Sequence, residues 1–207
     1  MTGAWRICLL LWAATALAAG DARVFYSKTF PGSKPEYFEV RAEKTGAAEY
    51  REAADEEAPL KFQLSEEETA AVFALVEKLD YFRHPLESHA KVAFMGSKLV
   101  RYESGGATSE AKFNFSENPA AQALADWFDR MAESAEIHID LERAAKYDHL
   151  GVMKALNALA GAFDDHRVAA AGQFLPLLDR IANSETYMHT ARALAADMAQ
   201  GIRNPKK

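Results

Sequence analysis

The chain has 207 residues, with 24 Lys and Arg against 30 Asp and Glu, and a formal net charge of −6 at pH 7. This acidic balance argues against nucleic-acid binding, because phosphate contacts are made mainly by a basic face. The acidic excess lies between positions 21 and 133, whereas positions 134–207 carry equal numbers of acidic and basic residues.

The first twenty residues have the three parts of a secretory signal peptide. Arg6 supplies a positive start, residues 7–14 form an apolar run, and residues 16–18 offer a small-residue cleavage site. The alternative is an uncleaved anchor, but the run is shorter than the ~20 residues that a membrane-spanning helix needs. We therefore expect cleavage near positions 18–20 and a periplasmic or secreted protein. Cys8 is the only cysteine, so the exported chain would have no disulfide, which fits a bacterial periplasm.

Three strands and a helix are predicted next. Residues 37–42 and 60–64 alternate between apolar and polar side chains, and Tyr50 lies in a further short strand. Ser65 and Glu68 have the spacing of a capping box, in which each side chain bonds the other's backbone N–H. The residues that follow place an apolar stripe on one helix face: Val72, Phe73, Val76 and Leu79.

A second group of strands follows this helix. Residues 91–95 and 98–102 flank Gly96-Ser97, which suits a two-residue hairpin turn, and residues 111–115 alternate again. Asn118 and Pro119 then have the order of a helix cap and first turn. The pattern predicts an α+β fold for residues 21–134, an antiparallel sheet with two helices on one face.

This arrangement is similar to small uncharacterised α+β domains of exported bacterial proteins. They share a Tyr-rich opening hairpin, a capped helix and a hairpin with a glycine turn. Those domains commonly open with Cys-Pro-x-Tyr, which this sequence lacks. The resemblance implies no particular activity.

Residues 135–203 are predicted to be helical throughout. Leu175-Pro176-Leu177 would open one helix, Ser184 would cap the next, and that helix would carry Arg192 before an Ala-Leu pair. This order resembles a HEAT repeat, and a weaker copy runs over residues 137–163. Residues 204–207 are expected to form a disordered tail.

The HEAT resemblance implies that stacked second helices present a protein-binding surface. On that basis we expect contacts with a partner at Tyr187, Met188 and Arg192. The predicted function is that of an exported, non-enzymatic interaction module that binds an envelope or secreted protein and needs no cofactor.

His138 and Glu142 are the main candidates for a metal site. On a helix they lie ~6 Å apart along the axis, and His149 lies a further ~10.5 Å away, too far to join them. A catalytic zinc normally takes three protein ligands, so we interpret this stripe as an exposed helix face. The apolar stripe also shifts near Ser134, which indicates that the helix either breaks or changes its packing partner there.

Two alternative functions stay open. A metal-dependent hydrolase would need His138 and Glu142 to meet the loop that contains Asp164, Asp165 and His166. A small-ligand carrier would need a pocket lined by aromatic residues of the sheet: Phe38, Phe94, Tyr102 and Phe113.

Overall fold

The computed structural model describes residues 22–205. The predicted signal peptide at residues 1–20 and the last two residues of the predicted tail therefore lie outside the described residues. The strands are β1 (Arg23–Thr29), β2 (Tyr37–Glu43), β3 (Ala47–Arg51), β4 (Leu60–Gln63), β5 (Ser97–Ser104) and β6 (Ala107–Phe113). The helices are α1 (Glu66–Lys78), α2 (Pro119–Tyr147), α3 (Val152–Asp164), α4 (Leu175–Ala182) and α5 (His189–Arg203).

The fold is α+β, as the sequence predicted. The six strands form one antiparallel sheet in the order β4-β3-β2-β1-β5-β6. The inward side chains of the sheet pack with α1 and α2 in one core, because alternate residues of a strand face the same side. The central members of this core are Val24, Tyr26, Val40, Val100, Val72, Val76, Leu124 and Phe128.

The starts of α1 and α2 have the caps that the sequence predicted. The Ser65 hydroxyl accepts the N–H of Glu68, and the Glu68 carboxylate accepts the N–H of Ser65. Asn118 accepts the N–H of Ala120 at the start of α2, where Pro119 occupies the first turn. These bonds satisfy N–H groups that have no partner within the helix.

The prediction of a hairpin turn at Gly96-Ser97 is wrong. Residues 91–96 are not a strand, and β5 starts at Ser97. The hairpin turn is Gly105-Gly106 between β5 and β6, where φ is 57° and 81°; such positive values suit glycine in a two-residue turn. The other neighbour of β5 is β1, a strand that was not predicted from the sequence.

α2 runs without a break through Ser134 and changes its packing partner there. Its buried residues up to Ala135 belong to the core under the sheet, whereas Leu141 and Ala145 belong to a second core with α3, α4 and α5. The apolar stripe of α2 therefore shifts near Ser134 because the helix changes its packing partner there, not because the helix breaks. A single helix of 29 residues thus connects the two cores.

The connection after α3 also binds the two cores together. Arg167 forms ion pairs with Asp126 at 2.6 Å and Glu133 at 2.9 Å on α2. The Ala169 N–H donates to the buried Ser134 hydroxyl, and the Ala170 N–H donates to Glu68 at the start of α1. Ala169 and Ala170 are buried in the core under the sheet.

The helical region differs from the prediction at one cap. Ser184 does not cap the last helix, because α5 starts later, at His189, and Met188 precedes it without a side-chain cap. The Ser184 hydroxyl instead accepts the N–H of Thr186 within the connecting turn. None of the helices described between residues 22 and 205 combines the length and apolar character needed to cross a bilayer.

Candidate functional site

Three large apolar side chains are exposed at the connections of the helical region. Tyr147 is 73% exposed and Leu150 is 80% exposed, both beside the short connection from α2 to α3. Met188 is 46% exposed and immediately precedes α5. We call Tyr147, Leu150 and Met188 the apolar loop residues.

Tyr187 brings these two connections together. Its ring centroid lies 5.2 Å from that of His149, and its hydroxyl donates to the carbonyl of Ala145 at 2.9 Å. The α4–α5 connection is therefore anchored on the C-terminal end of α2, beside the α2–α3 connection. The apolar loop residues consequently lie on two adjoining connections at one end of the helical region.

The predicted contact residues have different environments. Tyr187 is buried, at 8% exposure. Arg192 is half-buried, and its Nε donates to the carbonyl of Ala182 at the end of α4. Of these three residues, Met188 is the one with an exposed side chain. A partner could therefore cover Met188 without a change in the fold.

Basic groups lie close to the apolar loop residues. The Lys146 ammonium lies 5.0 Å from the ring centroid of Tyr147, within the range of a cation–π contact. His149 is exposed on the α2–α3 connection, and His189 is exposed as the first residue of α5. The carboxylate of Asp148 accepts the N–H of Gly151 and is thereby engaged within its own turn.

His138 is packed rather than presented to solvent. It is half-buried on α2, and its ring centroid lies 5.6 Å from that of Phe174. Burial lowers the pKa of His138, although Glu142 and the backbone of Gln173 act in the opposite direction. Within the described chain Nδ1 of His138 has no hydrogen-bond partner.

The other predicted metal-site residues do not join His138 and Glu142. Asp164, Asp165 and His166 are exposed at the end of α3, where His166 has a positive φ of 56°. Across residues 22–205, no three His, Cys, Asp or Glu side chains come close enough together to hold one metal ion. The structure therefore brings no complete ligand set together in this region.

Three of the four aromatic residues of the ligand-carrier alternative pack in the core under the sheet, and the fourth is exposed. Phe38 and Phe113 are buried in the core under the sheet. Tyr102 is half-buried against the same core and packs on Tyr81, with ring centroids 4.9 Å apart. Phe94 is 55% exposed and packs edge-on against Phe30. They therefore do not line one pocket.

A cluster of acidic groups at the junction was not found from the sequence. The Tyr50 hydroxyl lies 3.5 Å from a carboxylate oxygen of Glu52 and 3.4 Å from one of Glu136 on α2. Burial is the main cause that raises the pKa of Glu136 to about 7; the Glu52 carboxylate acts in the same direction, and the hydrogen bond from Tyr50 acts in the opposite direction. The 86 residues between Tyr50 and Glu136 carry no local pattern that could have indicated this contact.

No protein-family model matches the chain, and no curated protein is significantly similar to it.

Proposed function

We propose that this chain is an exported, non-enzymatic module that binds another protein of the bacterial envelope or a secreted protein. The observation that carries the proposal is the exposure of the apolar loop residues Tyr147, Leu150 and Met188 on two adjoining connections. Apolar side chains that are exposed together mark surfaces at which soluble proteins bind partners. The signal-like first twenty residues support export.

The partner surface fits an apolar segment with acidic neighbours. Tyr and Met are enriched at the centres of protein interfaces, where they are covered by the partner. The Lys146 ammonium, which lies 5.0 Å from the ring centroid of Tyr147, would face an acidic group at the rim of this surface. We further infer that α4 and α5 form a HEAT-type hairpin, whose connections and second helix carry this surface.

Neither alternative function has comparable support. The hydrolase would need three ligands for its metal, and the candidate residues are dispersed over α2 and the end of α3. The carrier would need a shared apolar cavity, whereas three of its four aromatic residues pack in the core under the sheet and Phe94 is exposed.

The test is crosslinked co-purification from envelope extracts with the exported chain as bait. Leu150→Glu and Met188→Glu should each reduce the captured partner at least about tenfold, because a carboxylate would be buried in an apolar contact. Asn157→Glu, at an exposed position on α3, is the matched control and should leave capture unchanged. Capture that is equal for all four chains, or no capture above background, would contradict the proposal.

A further inference from the structure

Residues 91–95 form an exposed segment at one end of the sheet. From residue 91 to residue 95 the backbone has no helix, turn or bend and no positive φ, which fits an extended chain, and all five side chains of the segment are exposed. Val92 is 41% exposed, Phe94 55% and Met95 50%. We call residues 91–95 the extended segment.

Hydrogen bonds from one side hold the extended segment in place. Oδ1 of Asn114 accepts the N–H of Met95 at 2.6 Å, and Nδ2 of Asn114 donates to the carbonyl of Ala93 at 3.1 Å. The Lys98 ammonium donates to the carbonyls of Met95 and Gly96 at 3.1 and 3.2 Å. The side chain of Asn114 thus occupies one edge of the segment, much as a neighbouring strand would.

The opposite edge of the segment is free to pair. In an extended strand the N–H and C=O of one residue face the same edge, and successive residues face opposite edges. Because Ala93 and Met95 face Asn114, the backbone groups of Val92 and Phe94 face outward. In the described part of the chain these groups have no hydrogen-bond partner. An unpaired edge of this kind is a template for another strand.

We propose that the extended segment pairs with the same segment of a second copy of this chain, as a two-fold antiparallel strand pair centred on Ala93. Val92 of one copy would exchange two hydrogen bonds with Phe94 of the other, and the reverse pair would exchange two more. The two Ala93 residues would then be the close, non-hydrogen-bonded pair, with Cα atoms ~4.5 Å apart. The methyl side chain of alanine fits this close approach.

The side chains of the segment are complementary to themselves under this two-fold. Val92 would face Phe94 of the other copy on one side of the pair. On that side the ring centroid of Phe30 already lies 5.9 Å from the ring centroid of Phe94. Lys91 would lie opposite Met95, so the two Lys91 residues would be four residues apart along the pair, ~14 Å. That separation exceeds the Debye length of ~8 Å at physiological salt, so their repulsion is screened.

A second copy fits this edge better than a lipid surface does. The hydrocarbon region of a membrane would leave the N–H and C=O groups of Val92 and Phe94 without partners, which is costly. A paired strand satisfies them. The surface is small compared with the ~800 Å² per partner of stable interfaces, so we expect a weak dimer that forms with increasing concentration.

Disulfide trapping tests the register. In a chain with Cys8→Ser, Ala93→Cys would place two thiols across the two-fold, within the Cα separation of 4.4–6.8 Å that a disulfide needs. Lys91→Cys is the matched control, because its thiols would be ~14 Å apart in the same pair. We expect Ala93→Cys to form the covalent dimer at least about tenfold faster on mild oxidation. Equal rates for the two variants, or no covalent dimer from either, would overturn the proposal.

Sedimentation equilibrium tests the hydrogen bonds. Val92→Pro removes an outward N–H, whereas Ala93→Pro removes an inward N–H that no pairing uses. Val92→Pro should raise the dimer dissociation constant at least about tenfold, Val92→Ala should raise it less, and Ala93→Pro should nearly preserve it. Circular dichroism verifies that each variant is folded. A monomeric parent chain at every concentration, or equal effects of both prolines, would refute the pairing. Leu150→Glu, which tests the proposed function, should leave the dimer unchanged.

Discussion

Glu136 extends from α2 to the hydroxyl of Tyr50, which also lies near the carboxylate of Glu52. Burial is the main cause of its raised pKa, and the neighbouring carboxylates of Glu52, Glu133 and Asp140 add to it. Each of these groups disfavours the charged form of Glu136. The junction of the two cores therefore contains a carboxyl group that titrates near neutral pH.

Replacement of Glu136 tests this description. The ordinary pKa of this carboxyl group is 4.5, and its pKa in the folded chain is about 7. At a pH between these two values, the folded chain holds a proton that the unfolded chain has released. The free energy of unfolding should therefore decrease as the pH rises through this window. Because Glu136 is partly exposed, we expect a decrease of only about 1–2 kcal/mol.

Glu136→Gln should remove this part of the pH dependence and make the protein more stable than the parent at pH 8. Urea unfolding at pH 5 and pH 8 measures both effects. Glu142→Gln, at an exposed position of the same helix, is the control. An unchanged pH dependence in Glu136→Gln would contradict the assignment.

At the scale of the elements, the start of α1 has two functions. Glu68 completes the capping box with one carboxylate oxygen, and its other oxygen accepts the N–H of Ala170 at 2.8 Å. The bond to Ala170 crosses 102 residues of sequence. The same side chain therefore starts a helix and fixes the connection that follows α3.

Substitutions at the cap should separate these two functions. Ser65→Ala removes the hydroxyl that accepts the Glu68 N–H, which typically costs about 1 kcal/mol. Glu68→Ala also leaves the Ala170 N–H without its partner, so it should cost about 1–3 kcal/mol more. Glu67→Ala, an exposed neighbour in the same turn, is the control and should have little effect. Thermal or urea unfolding measures the loss of stability in each variant. A larger loss of stability for Ser65→Ala than for Glu68→Ala would contradict this prediction.

At the scale of the whole molecule, the two cores share α2 and the connection after α3. Ser134 and Arg167 supply polar bonds across this junction: the Ser134 hydroxyl accepts the Ala169 N–H, and Arg167 pairs with Asp126 and Glu133. Because one continuous helix carries residues of both cores, we expect the chain to unfold as one cooperative unit.

The double variant Ser134→Ala with Arg167→Ala should weaken this cooperativity. It leaves the Ala169 N–H buried and unpaired, at a cost of about 1–3 kcal/mol, and it removes the cross-junction ion pairs. Trp127 packs against the core under the sheet and reports on it by fluorescence, whereas circular dichroism reports on all helices. The two urea transitions should coincide in the parent and separate in the variant. Coincident transitions in both chains would show that α2 alone couples the cores.

Local sequence patterns predicted much of the secondary structure. The caps at Ser65 and Asn118 are confirmed because a capping bond depends only on residues within one turn. The alternation around Val40 and Phe62 predicted β2 and β4 because strand faces repeat every two residues. The α+β class follows from these local signals.

Tertiary structure decided the pairings that local patterns cannot specify. A strand is predicted at residues 91–95 because they flank Gly96-Ser97, yet Asn114 and Lys98 bind their backbone and β1 takes the place beside β5. The Gly-Gly turn at residues 105–106, rather than Gly96, forms the hairpin. Strand pairing depends on which edges meet in space, and the edges are brought together by residues far apart in the chain.

The sequence by itself determined the acidic composition, the helix caps at Ser65 and Asn118, and the presence of a sheet-containing part followed by a helical part. Only the tertiary structure decided that α2 is continuous across that division, that Glu136 meets Tyr50 and Glu52, and that Met188 is exposed while Tyr187 is buried. The physical reason is the range of the interactions. Capping and periodicity act over a few residues, whereas burial and raised pKa values depend on contacts between distant segments.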